Sequence, residues 1–268
     1  MPEETMMAFK NCVEDPSFEV DYFEFDLHIT KDNILVLLHD DKLDRTSDAE
    51  KVFGKTGIKA EDYTYEELRV LNMGAKFVDD DGNSPYADLS GDAVPDDLRI
   101  LALNDLFDYL EPIKPFRYII EIKNGGELGK KGVDILYQTL VERNMLDRVA
   151  FGTFHGEVSA YKDEKYPDMA RGAYKGEVID FYLAVIKNTE NFEHSYSVLQ
   201  LPFNDKDEDS NVNLGTARVV NYAHKNNIAV QYWTINDPAD IEYLISINAD
   251  CIMSDYPDLV YRIRESMD

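Results

Sequence analysis

The chain of 268 residues has only two cysteines, Cys12 and Cys251. That count excludes a disulfide-stapled framework, and their separation excludes a CxxC metal or redox site, so a reducing cytoplasm is the expected compartment. Basic residues are also scarce, with 27 Lys and Arg against 53 Asp and Glu and a formal charge of −26. A field of that sign repels phosphate backbones and anionic lipid surfaces, so nucleic acid is not an expected partner. An anionic small-molecule substrate would need the field reversed locally, and a bound cation is the simplest device. No apolar run approaches the roughly 18 residues of a membrane span, and Met1-Pro2-Glu3-Glu4 lacks the basic start and apolar centre of a signal peptide. No Gly-rich phosphate loop follows any strand-like run, which argues against a dinucleotide fold.

What is present is the composition of a globular chain: 44% hydrophobic residues, with 17 Tyr and 13 Phe. β-rich runs at 22–30, 117–123, 149–154, 169–174, 197–202, 229–235 and 250–254 predict seven strands. Amphipathic patterns at 132–144, 178–188, 216–226, 238–248 and 257–264 predict helices between or after them. Strict alternation at this spacing implies parallel strands covered by helices, in a doubly wound sheet or a closed barrel. Asn236-Asp237-Pro238 places a capping side chain before a proline suited to the first helical turn.

One stretch breaks the alternation. The run 34–40 follows the first strand too closely for a crossover helix, so Lys31-Asp32-Asn33 is a tight turn and the two runs form an antiparallel hairpin. A turn centred near Asp32 sets His39 level with Phe25 and Asp26. Residues 47–98 read as an insertion, a lid or small subdomain with one helix at 65–72 and an Asp-, Gly-, Pro- and Ser-rich loop at 78–97. No linker divides the chain, so 1–268 is read as one domain.

Side chains alternate across a strand, which puts Glu24, Asp26 and His28 on one face of the first run. Taken alone, the pattern describes a half-exposed strand. Helices on both sides bury both faces of a parallel sheet, however, and acids there need a partner. Glu121 and Lys123 likewise share a face near the end of their run, and catalytic groups of parallel barrels gather at the C-terminal ends of strands. Glu24, Asp26 and Glu121 would offer an oxygen-only ligand set, suited to Mg²⁺, Ca²⁺ or Mn²⁺ rather than zinc. His39 ends an apolar run ahead of two acids, and beside a metal it becomes an acid–base candidate. Trp233, the only tryptophan, stands at a strand end where it could wall a pocket. His28, His155, His194 and His224 are left unassigned. Asp205, Asp207 and Asp209 imitate the start of a calcium loop, but Ser210 and Thr216 stand where Gly and Glu are required, so a solvated loop is the better reading.

Taken in order, Pro2-Glu3-Glu4-Thr5, Glu24-Phe25-Asp26, Thr30-Lys31-Asp32, His39-Asp40 through Leu43-Asp44-Arg45-Thr46, Glu121-Ile122-Lys123, Trp233-Thr234-Ile235-Asn236-Asp237 and Ser254-Asp255-Tyr256-Pro257 resemble the glycerophosphodiester phosphodiesterase family over nearly the whole chain. The resemblance implies a TIM-type (β/α) barrel that hydrolyses glycerophosphodiesters to glycerol 3-phosphate and an alcohol, using a divalent cation (Mg²⁺ or Ca²⁺) and two histidines. Carried over by motif, Glu24, Asp26 and Glu121 look like the metal ligands, His39 like one of the histidines, and Lys123 like a cation near the phosphate, with Trp233 as a substrate contact.

One departure stands out. The strand ending in His-Arg-Gly, which in the family precedes the Pro-Glu-Asn-Thr element seen here as Pro2-Glu3-Glu4-Thr5, is absent. On this reading Met1 is an internal methionine of a longer product, the barrel lacks its first strand, and activity is impaired. Two rivals are a noncatalytic relative that keeps metal and phosphodiester affinity, and a phospholipase-like barrel acting on another lipid-derived phosphodiester.

Overall fold

A computed structural model describes residues 1–203 and 212–267. The calcium-loop imitation at Asp205, Asp207 and Asp209 lies outside the described residues. The chain forms two compact units, Met1–Asp15 with Asp21–Arg148, and Pro16–Val20 with Val149–Asp268. Among the described residues no helix is long and apolar enough to cross a membrane.

The first unit opens with helix α1 (Met6–Glu14), followed by strands β1 (Tyr22–Ile29) and β2 (Leu35–Leu37). Short helices α2 (Ala49–Phe53) and α3 (Tyr65–Leu68) come next, then α4 (Leu103–Leu110), strand β3 (Arg117–Ile122) and α5 (Gly126–Glu142). β1 pairs parallel with β3 in the register Phe25↔Ile120, Asp26↔Glu121 and Leu27↔Ile122. β2 returns antiparallel, with Leu27 opposite Leu37 and Ile29 opposite Leu35. That register continues to Leu38, whose amide donates to the Asp26 carbonyl at 3.0 Å. The expected hairpin is therefore observed, and His39 falls level with Phe25.

Both faces of β1 are covered, as a helix-flanked parallel strand requires. Phe25, Leu27 and Ile29 are fully buried. Phe25 meets Phe107 of α4 and Tyr118 of β3 edge-on, and Phe9 of α1 packs against both Phe23 and Phe25. α1 forms because Thr5 caps it, its side chain accepting from the Ala8 amide, while the Thr5 hydroxyl donates to the Pro2 carbonyl at 2.8 Å. Phe9 anchors the helix, and the cap ties down residues 2–5 just before it.

The insertion has a small core of its own, built from Leu43, Ala49, Ile58, Ala60, Leu68 and Leu71 with Val36 and Leu38 of the hairpin. The expected helix at 65–72 is shorter than its pattern suggests. The Thr64–Glu67 capping box starts α3, but it stops at Leu68. Asn72 then turns inward, and its amide donates to the carbonyls of Tyr86 and Leu89. A buried amide with two backbone partners outweighs another helical turn, since leaving it unpaired would be costly.

The second unit holds strands β4 (Val149–Gly152), β5 (Val198–Pro202), β6 (Ala229–Trp233) and β7 (Cys251–Ile252). Its helices are α6 (Gly156–Lys165), α7 (Lys175–Lys187), α8 (Ala217–Lys225), α9 (Pro238–Ser246) and α10 (Pro257–Met267). β5, β6 and β7 are parallel neighbours. The run expected as a strand at 169–174 is reduced to isolated parallel bridges, Phe151↔Arg171 and Gly172↔Val198, which link β4 to β5. Phe181, Leu201, Val219, Val230, Tyr232, Ile241 and Leu244 fill the core of this unit. The predicted βα alternation is thus present in each unit.

Candidate active site

The in-register pairing of Asp26 with Glu121 places two carboxylates side by side on one face, near the C-terminal end of the β1–β3 ladder. Lys123, one residue past β3, follows the same alternation and points to the same side. Its ammonium stands 3.3 Å from Glu121 Oε1 and 3.5 Å from Asp26 Oδ1. Glu24, two residues before Asp26 on the same face, adds a third acid whose charge is felt by the others. The four residues singled out here from alternation alone are brought together.

The electrostatics are those of acids crowded out of water. Burial, then repulsion from Asp26 and Glu121, pushes the Glu24 carboxyl up to about 8. Burial likewise raises Glu121 to about 7, with Lys123 opposing it. Asp26, only 4% exposed, is raised by the same cause despite its Lys123 contact. Burial pulls Lys123 down, but Asp26 and Glu121 outweigh it and the ammonium is raised. One ammonium therefore does not satisfy the cluster, since the acids around it still resist ionisation.

His39 lies beside this cluster, and its charge acts on both Asp26 and Glu121. Its Nδ1 pairs with Asp40 Oδ1 at 2.8 Å, which orients the ring and leaves Nε2 to exchange a proton, as in histidine–carboxylate dyads. Asp40 is held by Arg45, whose Nε donates to Oδ2 at 2.6 Å. That guanidinium, with His39, keeps the Asp40 carboxyl down at about 2 against a smaller effect of burial. Arg45 also donates to Glu3, with Nη1 2.9 Å from Oε2. The side chain of His39 is 58% exposed, so the ring is accessible while its partner is fixed.

Reasoning from the sequence missed a further carboxylate. Glu4 reaches the cluster from the residue before the Thr5 cap, and its Oε1 accepts from the Asp26 amide at 3.2 Å. The signal was available, since Glu4 replaces the neutral Asn of the family element. Arg45 and Asp40 were read only as motif letters, and their role in orienting His39 emerges from the hydrogen bonds.

The remaining candidates lie elsewhere. His28 is 2% exposed on β1 with neither ring nitrogen hydrogen-bonded, and burial lowers it to about 4, which keeps it neutral. Trp233 ends β6, half-buried, in the second unit. His155 precedes α6, His194 binds the Tyr196 and Asn226 carbonyls, and His224 pairs with Asp250 at 2.8 Å.

As placed, no group of three or more His, Cys, Asp or Glu side chains among the described residues is arranged to hold a metal ion. Glu24, Asp26 and Glu121 are therefore gathered as a cluster with Lys123 between two of them, rather than as a ready metal cage. The donor set still suits a hard cation in kind. All its groups are carboxylates, and nearby Glu4 Oε2 is sealed from solvent with no hydrogen-bond partner.

Parallel strands alternating with helices, with a polar cluster at the end of one ladder, place the chain in the α/β class whose sites lie at strand C-termini. The chain belongs to the glycerophosphoryl diester phosphodiesterase family, whose profile matches residues 1–259. Among curated relatives, a glycerophosphodiester phosphodiesterase of Bacillus altitudinis is 25% identical over 99% of this chain and 94% of its own length. One from Caldanaerobacter subterraneus is 25% identical over 98% and 92%. A crystal structure of a glycerophosphoryl diester phosphodiesterase domain from Mycobacterium tuberculosis aligns with a TM-score of 0.75 at 15% identity, covering 98% of this chain and 94% of that one. An Oleispira antarctica phosphodiesterase, solved with its product sn-glycerol-3-phosphate, aligns at 0.70 with 17% identity over 98% and 92%. The fold is shared with these structures.

Proposed function

We propose that the chain hydrolyses glycerophosphodiesters to glycerol 3-phosphate and an alcohol, with Glu24, Asp26 and Glu121 holding a divalent cation and His39 transferring protons. The observation that carries this reading is the in-register meeting of Asp26 and Glu121 around Lys123, with the Asp40-oriented His39 beside them. When bound, a divalent cation there supplies charge neutralisation and polarises a phosphoryl oxygen. Lys123 adds a fixed positive charge for the substrate's phosphate, so an anion can settle on a protein of charge −26. His39 Nε2 accepts a proton from the attacking hydroxyl or returns one to the leaving alcohol, while Asp40 stabilises the imidazolium in between.

The test is release of glycerol 3-phosphate from glycerophosphocholine and glycerophosphoethanolamine, with Mg²⁺ or Ca²⁺ supplied and then removed by a chelator. Turnover should stop on chelation and fall by about 100-fold or more in Glu121→Gln, as when a transition-state charge stabiliser is lost. His39→Ala should lower kcat by about 10²–10⁴ and leave cation affinity unchanged. Normal turnover in both variants would dismiss the assignment. A second reading, binding without turnover, is favoured by one observation: His39 is the only accessible histidine of the first unit, since its other one, His28, is buried without a partner. Retained affinity for the cation and glycerol 3-phosphate with no product release would decide for it.

A further inference from the structure

Helix α7 carries two apolar faces where a helix covering a sheet needs one. Phe181, Ala184 and Val185 are buried in the core of the second unit. On the opposite side Ile179, Leu183 and Ile186 are 54%, 44% and 53% exposed, and the half-buried Tyr182 falls among them. Positions 179, 182, 183 and 186 follow the i, i+3, i+4, i+7 spacing of a single helical stripe. No other helix among the described residues exposes more than two large apolar side chains, and a contiguous apolar stripe on a surface marks an interaction site. The charge of α7 also differs from that of the chain. Its 13 residues hold Lys175 and Lys187 against Glu177 and Asp180, a net charge of zero in a protein of charge −26. Two copies repel one another through that overall charge, and α7 offers a face on which the repulsion is locally cancelled.

We propose that the exposed stripe of α7 is the interface of a symmetric dimer of this chain, in which two copies of α7 pack antiparallel about a two-fold axis beside Leu183. A two-fold contact must be self-complementary, and the charges flanking the stripe are. Asp180 and Lys187 are both exposed, and their spacing of seven residues sets them about two turns apart on one edge of the stripe. An antiparallel pairing centred between Leu183 and Ala184 brings Asp180 of each copy level with Lys187 of the other, so the ion pair forms twice, while the two Leu183 side chains meet near the axis. One helix per copy makes a small contact, at the low end for specific association, so the dimer forms and dissociates reversibly.

Sedimentation equilibrium of the full chain over a concentration series up to about 1 mM, the weak end of specific association, tests this. The parent is compared with Leu183→Glu, Ile186→Glu, Asp180→Lys, Lys187→Asp and the double variant Asp180→Lys/Lys187→Asp. The parent should pass from monomer to dimer mass as concentration rises. Either glutamate should weaken the dimer by about tenfold or more, because a charge then sits desolvated in the apolar contact. Each single charge change should weaken it by about three- to tenfold, and the double variant should return to within about twofold of the parent, since the exchanged pair forms again twice. A parent that stays monomeric throughout would overturn the proposal, as would a dimer unaffected by both glutamates. A dimer lost with glutamate but not recovered in the double variant would overturn the antiparallel pairing. Flotation with phosphatidylcholine vesicles supplies a further outcome: binding by a monomeric parent would assign the stripe to a lipid surface instead. Circular dichroism confirms folding of each variant, and Ile186→Glu carries the comparison if Leu183→Glu does not fold.

Discussion

Two clusters in this protein gather acids around a buried cation, and they end in opposite electrostatic states. In the second unit Arg171, 2% exposed, is fully engaged. Its Nη2 donates to Asp163 Oδ2 at 2.7 Å, to Glu177 Oε1 at 2.7 Å and to Ser195 Oγ at 2.7 Å, and its Nη1 donates to Glu177 Oε2 at 2.6 Å. Burial pushes Asp163 up, but the guanidinium wins and its carboxyl is lowered. In the first unit Lys123 offers a single ammonium at 3.3 and 3.5 Å, and its acids are raised. A planar fork that matches carboxylates two at a time completes a network. A point charge shared among three acids leaves one incomplete. The Arg171 cluster holds structure together, and the Lys123 cluster retains unmet demand for positive charge.

Removing the fork should give the largest effect on stability. Arg171→Met leaves the half-buried Asp163 and Glu177 without their guanidinium, Asp163 keeping Lys162 at 3.2 Å, and should cost about 3 kcal/mol, read as a fall in the urea midpoint, with Ca²⁺ affinity unchanged. A loss below about 1 kcal/mol would equate the network with an ordinary surface pair and erase the contrast.

The pH response should separate the clusters next. Glu24 and Glu121 rise from 4.5 to about 8 and about 7 on folding. Their contribution is therefore fully present below the unfolded value and is lost as pH rises through 7 and 8. The chelated protein should melt at progressively lower temperature from about pH 5 to about pH 8.5, and Ca²⁺ should restore more at the upper end. Asp163, being lowered, works in the opposite sense: its contribution is present at neutral pH and lost in acid. A flat melting temperature across the alkaline window, with and without Ca²⁺, would mean the Lys123 cluster has no unmet demand. The smallest effect is expected from Thr5→Ala, which removes the α1 cap and should cost about 1 kcal/mol. A change within error would show that Phe9 alone positions residues 2–5.

Much of the first unit could be read in advance because its signals are local. The hairpin followed from chain length, since too few residues separate β1 from β2 for a crossover. The shared face of Glu24 and Asp26 followed from the period of two. α1 was missed although Thr5 and Phe9 mark it, because nine residues give a weak periodic signal. Residues 65–72 were over-read as helix because nothing local announces that Asn72 will turn inward to two distant carbonyls. At 169–174 the β pattern was correct, but the segment makes only isolated parallel bridges.

The sequence by itself determined the strand and helix alternation, the faces of the acids and the family, because periodicity, capping and motif order are written along the chain. Only the tertiary structure decided that Asp26 and Glu121 meet in register, that Arg45 and Asp40 orient His39, and that Glu4 adds a carboxylate with a sealed, unpartnered oxygen. These are contacts between residues far apart in the chain, and their energies depend on burial, which no single segment specifies.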